Sequence, residues 1–228
     1  MSRPSLPGLF LILLSAAPSV GQAPFLPVEG AEWKPLRAHC RELLKGLDAL
    51  KAPLPPETTR ALTALLEKAP ADPEAASAAV QKLLDPHCLL GVSINAESRV
   101  KVERGPAAAV LVEGRPAVVQ VKVHNEAGVT HALSVSGPQL RTGDKRGEGR
   151  WLEAAVVNDA PFARRLSGRR LEYRALRLTA RQGGKREATF QFDVGQGTQD
   201  LGFRGEVPVL FTVSSKPDAP ARKDQMPR

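Results

Sequence analysis

The spacing of apolar residues divides the chain into two regimes. From Glu32 to Asp85 apolar positions recur every three or four residues. Leu36, Cys40, Leu43, Leu44, Leu47 and Leu50 fall on one helical face, and Leu62, Leu65, Leu66 and Ala69 repeat the pattern after the break "PLPPETT". A third segment opens with Asp72 as N-cap and Pro73 at the first helical position, then places Val80, Leu83 and Leu84 on one face. The pattern predicts three short helices separated by prolines.

After "DPHC" the period falls to two. In "AVVQVKVHN" Val119, Val121 and Val123 share one face while Gln120 and Lys122 take the other, the mark of a half-buried strand. Comparable runs are "LLGVSIN", "SRVKVER", "AAVLVEG", "HALSVSG", "WLEAAVV", "EYRALRLTA", "REATFQFDV" and "VPVLFTV". Eight or nine strands with no helix between them predict a mainly β fold, an antiparallel immunoglobulin-like β-sandwich carrying a short N-terminal α-helical region. The cysteine pair and core tryptophan of antibody domains are absent, and both cysteines fall outside the expected strands. The expected organisation is a signal peptide at 1–23, a helical region at 24–88, a β-sandwich domain at 89–213 and a disordered polar tail at 214–228.

The first of these segments sets the compartment. "MSRPSLPGLFLILLSAAPSVGQAP" has one early cation, Arg3, an apolar stretch from Leu9 to Ala17 and then small residues, which predicts a cleaved export signal and a periplasmic or extracellular product. The stretch is shorter than the roughly 20 residues that span a bilayer, and no later one is apolar enough, so no membrane span is expected. In an oxidising compartment Cys40 and Cys88 are expected to pair, with a bridge contributing about 3 to 4 kcal/mol in the chain-entropy model. The doublets His39-Cys40 and His87-Cys88 offer four zinc-type ligands, but adjacent ligands diverge on a helix, and the disulfide is the preferred reading.

Charge changes the picture further. Of the net +8 of the chain, the whole surplus lies between Arg141 and Arg186, where 13 Lys or Arg face 5 Asp or Glu (13 − 5 = 8). Alternation through "RLEYRALRLTAR" suggests a stripe of arginines on a sheet face, and Arg164, Arg165, Arg169, Arg170, Arg174, Arg177 and Arg181 form the candidate patch. Such a patch would attract an anionic polysaccharide or an acidic protein. Nucleic acid is disfavoured by export and by an aromatic content of 4%.

Motifs for chemistry are weak. "FDVGQGTQDLGF" (192–203) has glycines spaced like a phosphate loop, yet it leads into a strand-like run, so no helix N-terminus is there to receive a phosphate. Its favoured reading is a turn whose Asp and Gln side chains bind loop amides, with Asp193 and Asp200 as a minor calcium candidate. His124, Glu126 and His131 lack the remaining ligands of a metal site, and Ser93, Ser134 and Ser136 lie in no GxSxG elbow. No catalytic residues, no cofactor and no enzymatic activity are expected.

At "VSINAESRVKVERGPAAAVL", "VKVHNEAGV", "LEYRALRL" and "GKREATFQFDVGQGTQDLGFRGEVPVLFTV" the chain resembles a β-sandwich region of large secreted bacterial proteins, found upstream of metal-dependent hydrolase domains of the polymerase-and-histidinol-phosphatase type. The resemblance spans about 89–213 and implies an accessory module, since the hydrolase's metal ligands belong to the downstream domain. The leading expectation is an exported, non-catalytic interaction module. A detached N-terminal part of, or a partner to, a secreted metal-dependent hydrolase is the alternative.

Overall fold

A computed structural model describes residues 25–142, 149–195 and 204–215. The expected signal peptide and nearly all of the expected tail lie outside the described residues, as do Asp200 and the charged segment 143–148. Among the described residues three helices come first: α1 Trp33–Ala49, α2 Pro56–Glu67 and α3 Pro73–Leu84. Asp72 caps α3 as its position predicts, its Oδ1 accepting the N–H groups of Glu74 and Ala75 at 3.0 Å each. A single 3-10 turn, Asp85–His87, delivers the chain into the sheets. Among the described residues no helix is long and apolar enough to cross a membrane.

Among the described residues ten strands follow: β1 Cys88–Ile94, β2 Val100–Arg104, β3 Val110–Val112, β4 Pro116–Asn125, β5 Ser134–Ser136, β6 Leu140–Arg141, β7 Leu152–Val156, β8 Leu171–Ala180, β9 Gly184–Asp193 and β10 Arg204–Ser214. Each run expected to be extended overlaps one of them. The two-residue β6 carries too short a pattern to be read. The strands form a six-stranded sheet, ordered β2-β1-β4-β8-β7-β6, and a four-stranded sheet, ordered β3-β10-β9-β5. Leu90, Val92, Val121, Val123, Leu176 and Leu178 of the first pack with Phe190, Phe192, Val209 and Phe211 of the second in one core.

The antiparallel expectation needs correction. β1 runs parallel to β4, β3 parallel to β10, and β6 parallel to β7, so both sheets are mixed. Alternation reports which face of a strand is buried and is blind to the direction of its neighbour.

A second correction concerns β4. Gln120 and Lys122 point away from the inter-sheet core as predicted, yet they are only 6% and 3% exposed. The helices cover that face, and Leu36, Cys40, Leu43 and Leu47 of α1 join Leu171, Tyr173 and Ala175 of β8 in a second core. The helical region is therefore docked on the six-stranded sheet. Gly46 makes room for this packing: a Cβ there would overlap the ring of Phe162, which reaches α1 from the connection between β7 and β8.

Buried polar groups fix the dock. Lys122 Nζ donates to Asp85 Oδ2 at 2.7 Å and to the Leu26 carbonyl at 3.2 Å, and the Tyr173 hydroxyl donates to Asp85 Oδ1 at 2.9 Å. Burial pushes the Asp85 carboxyl up, while the hydrogen bond and charge of Lys122 pull against it. On α1, His39 Nε2 accepts the Tyr173 backbone N–H at 2.8 Å. Burial is the main reason its pKa falls to about 4; the Tyr173 carbonyl, 3.0 Å from the same nitrogen and able to accept from a protonated ring, opposes the drop, and Arg174 and Arg169 add to it.

The expected disulfide is not formed. Cys40 and Cys88 are free thiols, both fully buried in the core beneath the helices. Cys88 does not lie outside the strands but opens β1, and its Sγ donates to the Leu84 carbonyl at 3.5 Å. Burial pushes the Cys40 thiol up to about 12 and Cys88 well above its ordinary value.

Candidate functional site

Strand β8 decides where the arginines go. Its odd positions Leu171, Tyr173 and Ala175 meet the helices, and its even positions Leu176, Leu178 and Ala180 meet the inter-sheet core. Arg177 and Arg181 continue the odd series beyond the stretch that α1 covers. They therefore emerge on a part of the six-stranded sheet's outer face that no described helix covers.

There a groove of about 440 Å3 is lined by Arg141, Glu153, Ala154, Ala155, Arg177, Thr179 and Arg181. Strand pairing builds it: Arg141 stands opposite Glu153, Glu153 opposite Thr179, and Ala155 opposite Arg177. Glu153 holds Arg181 in a two-pronged contact, Nε to Oε1 at 2.9 Å and Nη2 to Oε2 at 2.9 Å. Arg141 is braced by its Nε–H to the Arg150 carbonyl at 2.7 Å. Arg177 is exposed and has no hydrogen-bond or ion-pair partner among the described residues.

The remaining members of the candidate patch are elsewhere, so the single stripe predicted from alternation is replaced by three separate placements. Arg174 is even-numbered on β8 and turns to the opposite side from Arg177. It is 3% exposed, beside Glu172 at 3.7 Å, and its Nη1 donates to the Arg165 carbonyl at 3.2 Å. Its Nη2 also donates to the Ala163 carbonyl. Burial pushes Glu172 up and Arg174 down, with the ion pair opposing both shifts. Arg169 and Arg170 lie on the β7–β8 connection and tie it to the N-terminal region, Arg169 Nη1 donating to the Pro35 carbonyl at 3.4 Å and Arg170 Nε to the Glu29 carbonyl at 2.8 Å. Arg164 and Arg165 are exposed on the same connection, away from the groove-lining residues.

The other candidates resolve individually. Asp193 has both carboxylate oxygens engaged, Oδ1 by the Gly195 N–H and Oδ2 by Arg204 Nε at 3.0 Å, so its turn role is seen, while its calcium partner candidate Asp200 lies outside the described residues. Residues 196–203 of the glycine loop lie outside the described residues, and the strand expected after them is β10. His87 Nε2 faces the Thr58 hydroxyl at 3.0 Å while His39 faces Tyr173, so the two His-Cys doublets do not converge on one metal site. His124 Nε2 is 3.6 Å from Glu126 Oε1, an ion-pair distance but too long for a hydrogen bond, and burial lowers the His124 pKa. Among the described residues no three His, Cys, Asp or Glu side chains come together as a metal site.

The sequence reading missed Glu153 and Arg141 as groove residues, and Asp85 and Lys122 as a buried pair. Each depends on a partner from a different strand or helix.

Family models give no match to this chain, and curated proteins give none. Among solved structures, domains 1–6 of the surface layer protein SbsC align at 14% identity over 52% of this chain and 15% of that one, with a TM-score of 0.27. SbsC domains 4 and 5 align at 16% identity over 51% and 57%, also with a TM-score of 0.27. The secreted serine protease VesC from Vibrio cholerae aligns at 12% identity over 61% and 26%, with a TM-score of 0.29. The alignments span less than two thirds of each of these proteins, and likenesses at this level carry no argument about function.

Proposed function

We propose that the protein is an exported, non-catalytic interaction module, with an immunoglobulin-like sandwich as its two-sheet body and the arginine-lined groove as its contact face for an anionic partner. The observation that carries this reading is Arg177, exposed and without an internal counter-ion among the described residues, beside Arg141 and Arg181 on the part of the sheet that no described helix covers. A cation left unpaired amid like charges raises the local potential and steers anions to that spot. The leader at 1–23 is the reason for placing the protein outside the cytoplasm.

Salt-gradient elution from immobilised heparin tests it. A basic protein is retained whatever its details, so the comparison is between Arg177→Gln/Arg181→Gln and Arg164→Gln/Arg165→Gln, which lose equal charge. The groove variant is expected to elute at clearly lower salt than the connection variant. Equal elution of the two would refute a dedicated face.

A further inference from the structure

We propose that the groove takes an extended acidic peptide segment, one carboxylate of which engages Arg177 while another replaces Glu153 on Arg181. This rests on the reading of the groove as an anion-binding face and names the ligand.

Three features carry it. The first is the resident carboxylate itself. Glu153 shows that the Arg181 fork is presented to a planar, two-oxygen group, and the two side chains are 38% and 48% exposed. A pair so open to water is weak and easily screened, so a second carboxylate can exchange with it. The exchange balances: one carboxylate leaves Arg181 for water and another arrives, while Arg177 gains a partner it lacks among the described residues.

The second feature is spacing. Arg177 and Arg181 are four residues apart along the β8 direction, about 13 Å at the rise of a strand. An extended peptide laid along β8 repeats side chains of one face at the same interval, so acidic residues at i and i+4 reach both guanidinium groups.

The third is the lining. Between the arginines lie the side chains of Ala155 and Thr179, and none of the described lining residues is aromatic. The apolar face of a sugar ring finds no ring to lie on, whereas a peptide backbone passes easily over small side chains. With Arg141, Arg177 and Arg181 against Glu153, the described lining residues of the groove have an excess of two positive charges, which two peptide carboxylates neutralise (3 − 1 = 2).

The test measures fluorescence polarisation of a labelled peptide of alternating Glu and Ser at low ionic strength, with oligogalacturonate of matched charge as competitor. Arg177→Gln is expected to weaken peptide binding about tenfold, the effect of losing a charge-assisted contact. Glu153→Gln removes the internal competitor and is expected to tighten binding about threefold. Arg164→Gln/Arg165→Gln is expected to change little. All these side chains are on the surface, and thermal melts verify that each variant folds. Binding of oligogalacturonate as tight as that of the peptide, or no tightening in Glu153→Gln, would overturn the peptide assignment and leave the anion-binding face standing. Indifference of both ligands to Arg177 would overturn both.

Discussion

Replacing His39 with glutamine should remove a pH dependence from the docking of α1. The imidazole accepts the Tyr173 N–H only while Nε2 is unprotonated. In the folded protein its pKa is about 4; in the unfolded chain it is near 6.5. The folded state thus resists a proton that the unfolded state accepts. The stability associated with neutral His39 is complete above pH 6.5, declines as the pH falls toward 4, and changes no further below that. With ~1.36 kcal/mol per pH unit in that window, the loss reaches at most about 2 kcal/mol at pH 5 and about 3 kcal/mol at pH 4. Because the ring is only part-buried by its surface area, the lower part of that scale is the expected outcome. Asp85 and Glu172, both pushed up by burial, titrate in the opposite sense and become less unfavourable as the pH falls. The measurement must therefore be a difference. Urea unfolding of the wild type and His39→Gln between pH 7.5 and 4.5 should give stability curves that converge with acid, the wild type falling faster. Parallel curves across that range would show that His39 does not hold α1 on β8 in the way described.

Three further outcomes follow from the packing. Gly46→Ala should lower stability by about 1 to 3 kcal/mol in chemical denaturation despite the better helix propensity of alanine, because its methyl group meets Phe162; an unchanged midpoint would refute the contact. Lys122→Met leaves Asp85 buried without its cation and should cost about 3 kcal/mol, while adding Asp85→Asn should recover part of the loss in the same assay; additive losses would contradict the pairing. A thiol reagent should find two reactive thiols in protein denatured without reductant and almost none in the folded state, since Cys40 and Cys88 are both fully buried with raised pKa values. Absence of reactive thiols after denaturation would restore the bridge.

Much of the fold was legible from periodicity. The helices lie where three- and four-residue spacing puts them, and the N-cap at Asp72 and the proline after it mark the start of α3 unambiguously. Strand positions follow from alternation, because which side of a strand meets the core is a local property of its sequence. Strand direction and order are not local. The parallel β1–β4 pair joins Val92 to Val123 across two intervening strands, and nothing within either segment specifies that neighbour. The same limit explains Lys122. Its position opposite the valines of β4 is readable, but whether that face meets water or a helix depends on residues more than thirty positions away, such as Asp85. The arginine stripe failed for a simpler reason. Arg174 and Arg177 are three apart, and an odd step in a strand sends side chains to opposite sides.

The clasp between β3 and β10 has a consequence for how the chain acquires its structure. Val110 pairs with Thr212 and Val112 with Ser214, roughly a hundred residues further on. Synthesis runs from the N-terminus, so β3 waits until about a hundred further residues have emerged before its partner exists. Until then its backbone donors and acceptors are open to solvent and to other chains. Closing a loop of that length is slow, and the interval is when this protein would be most exposed to proteases and to misassociation with its own copies.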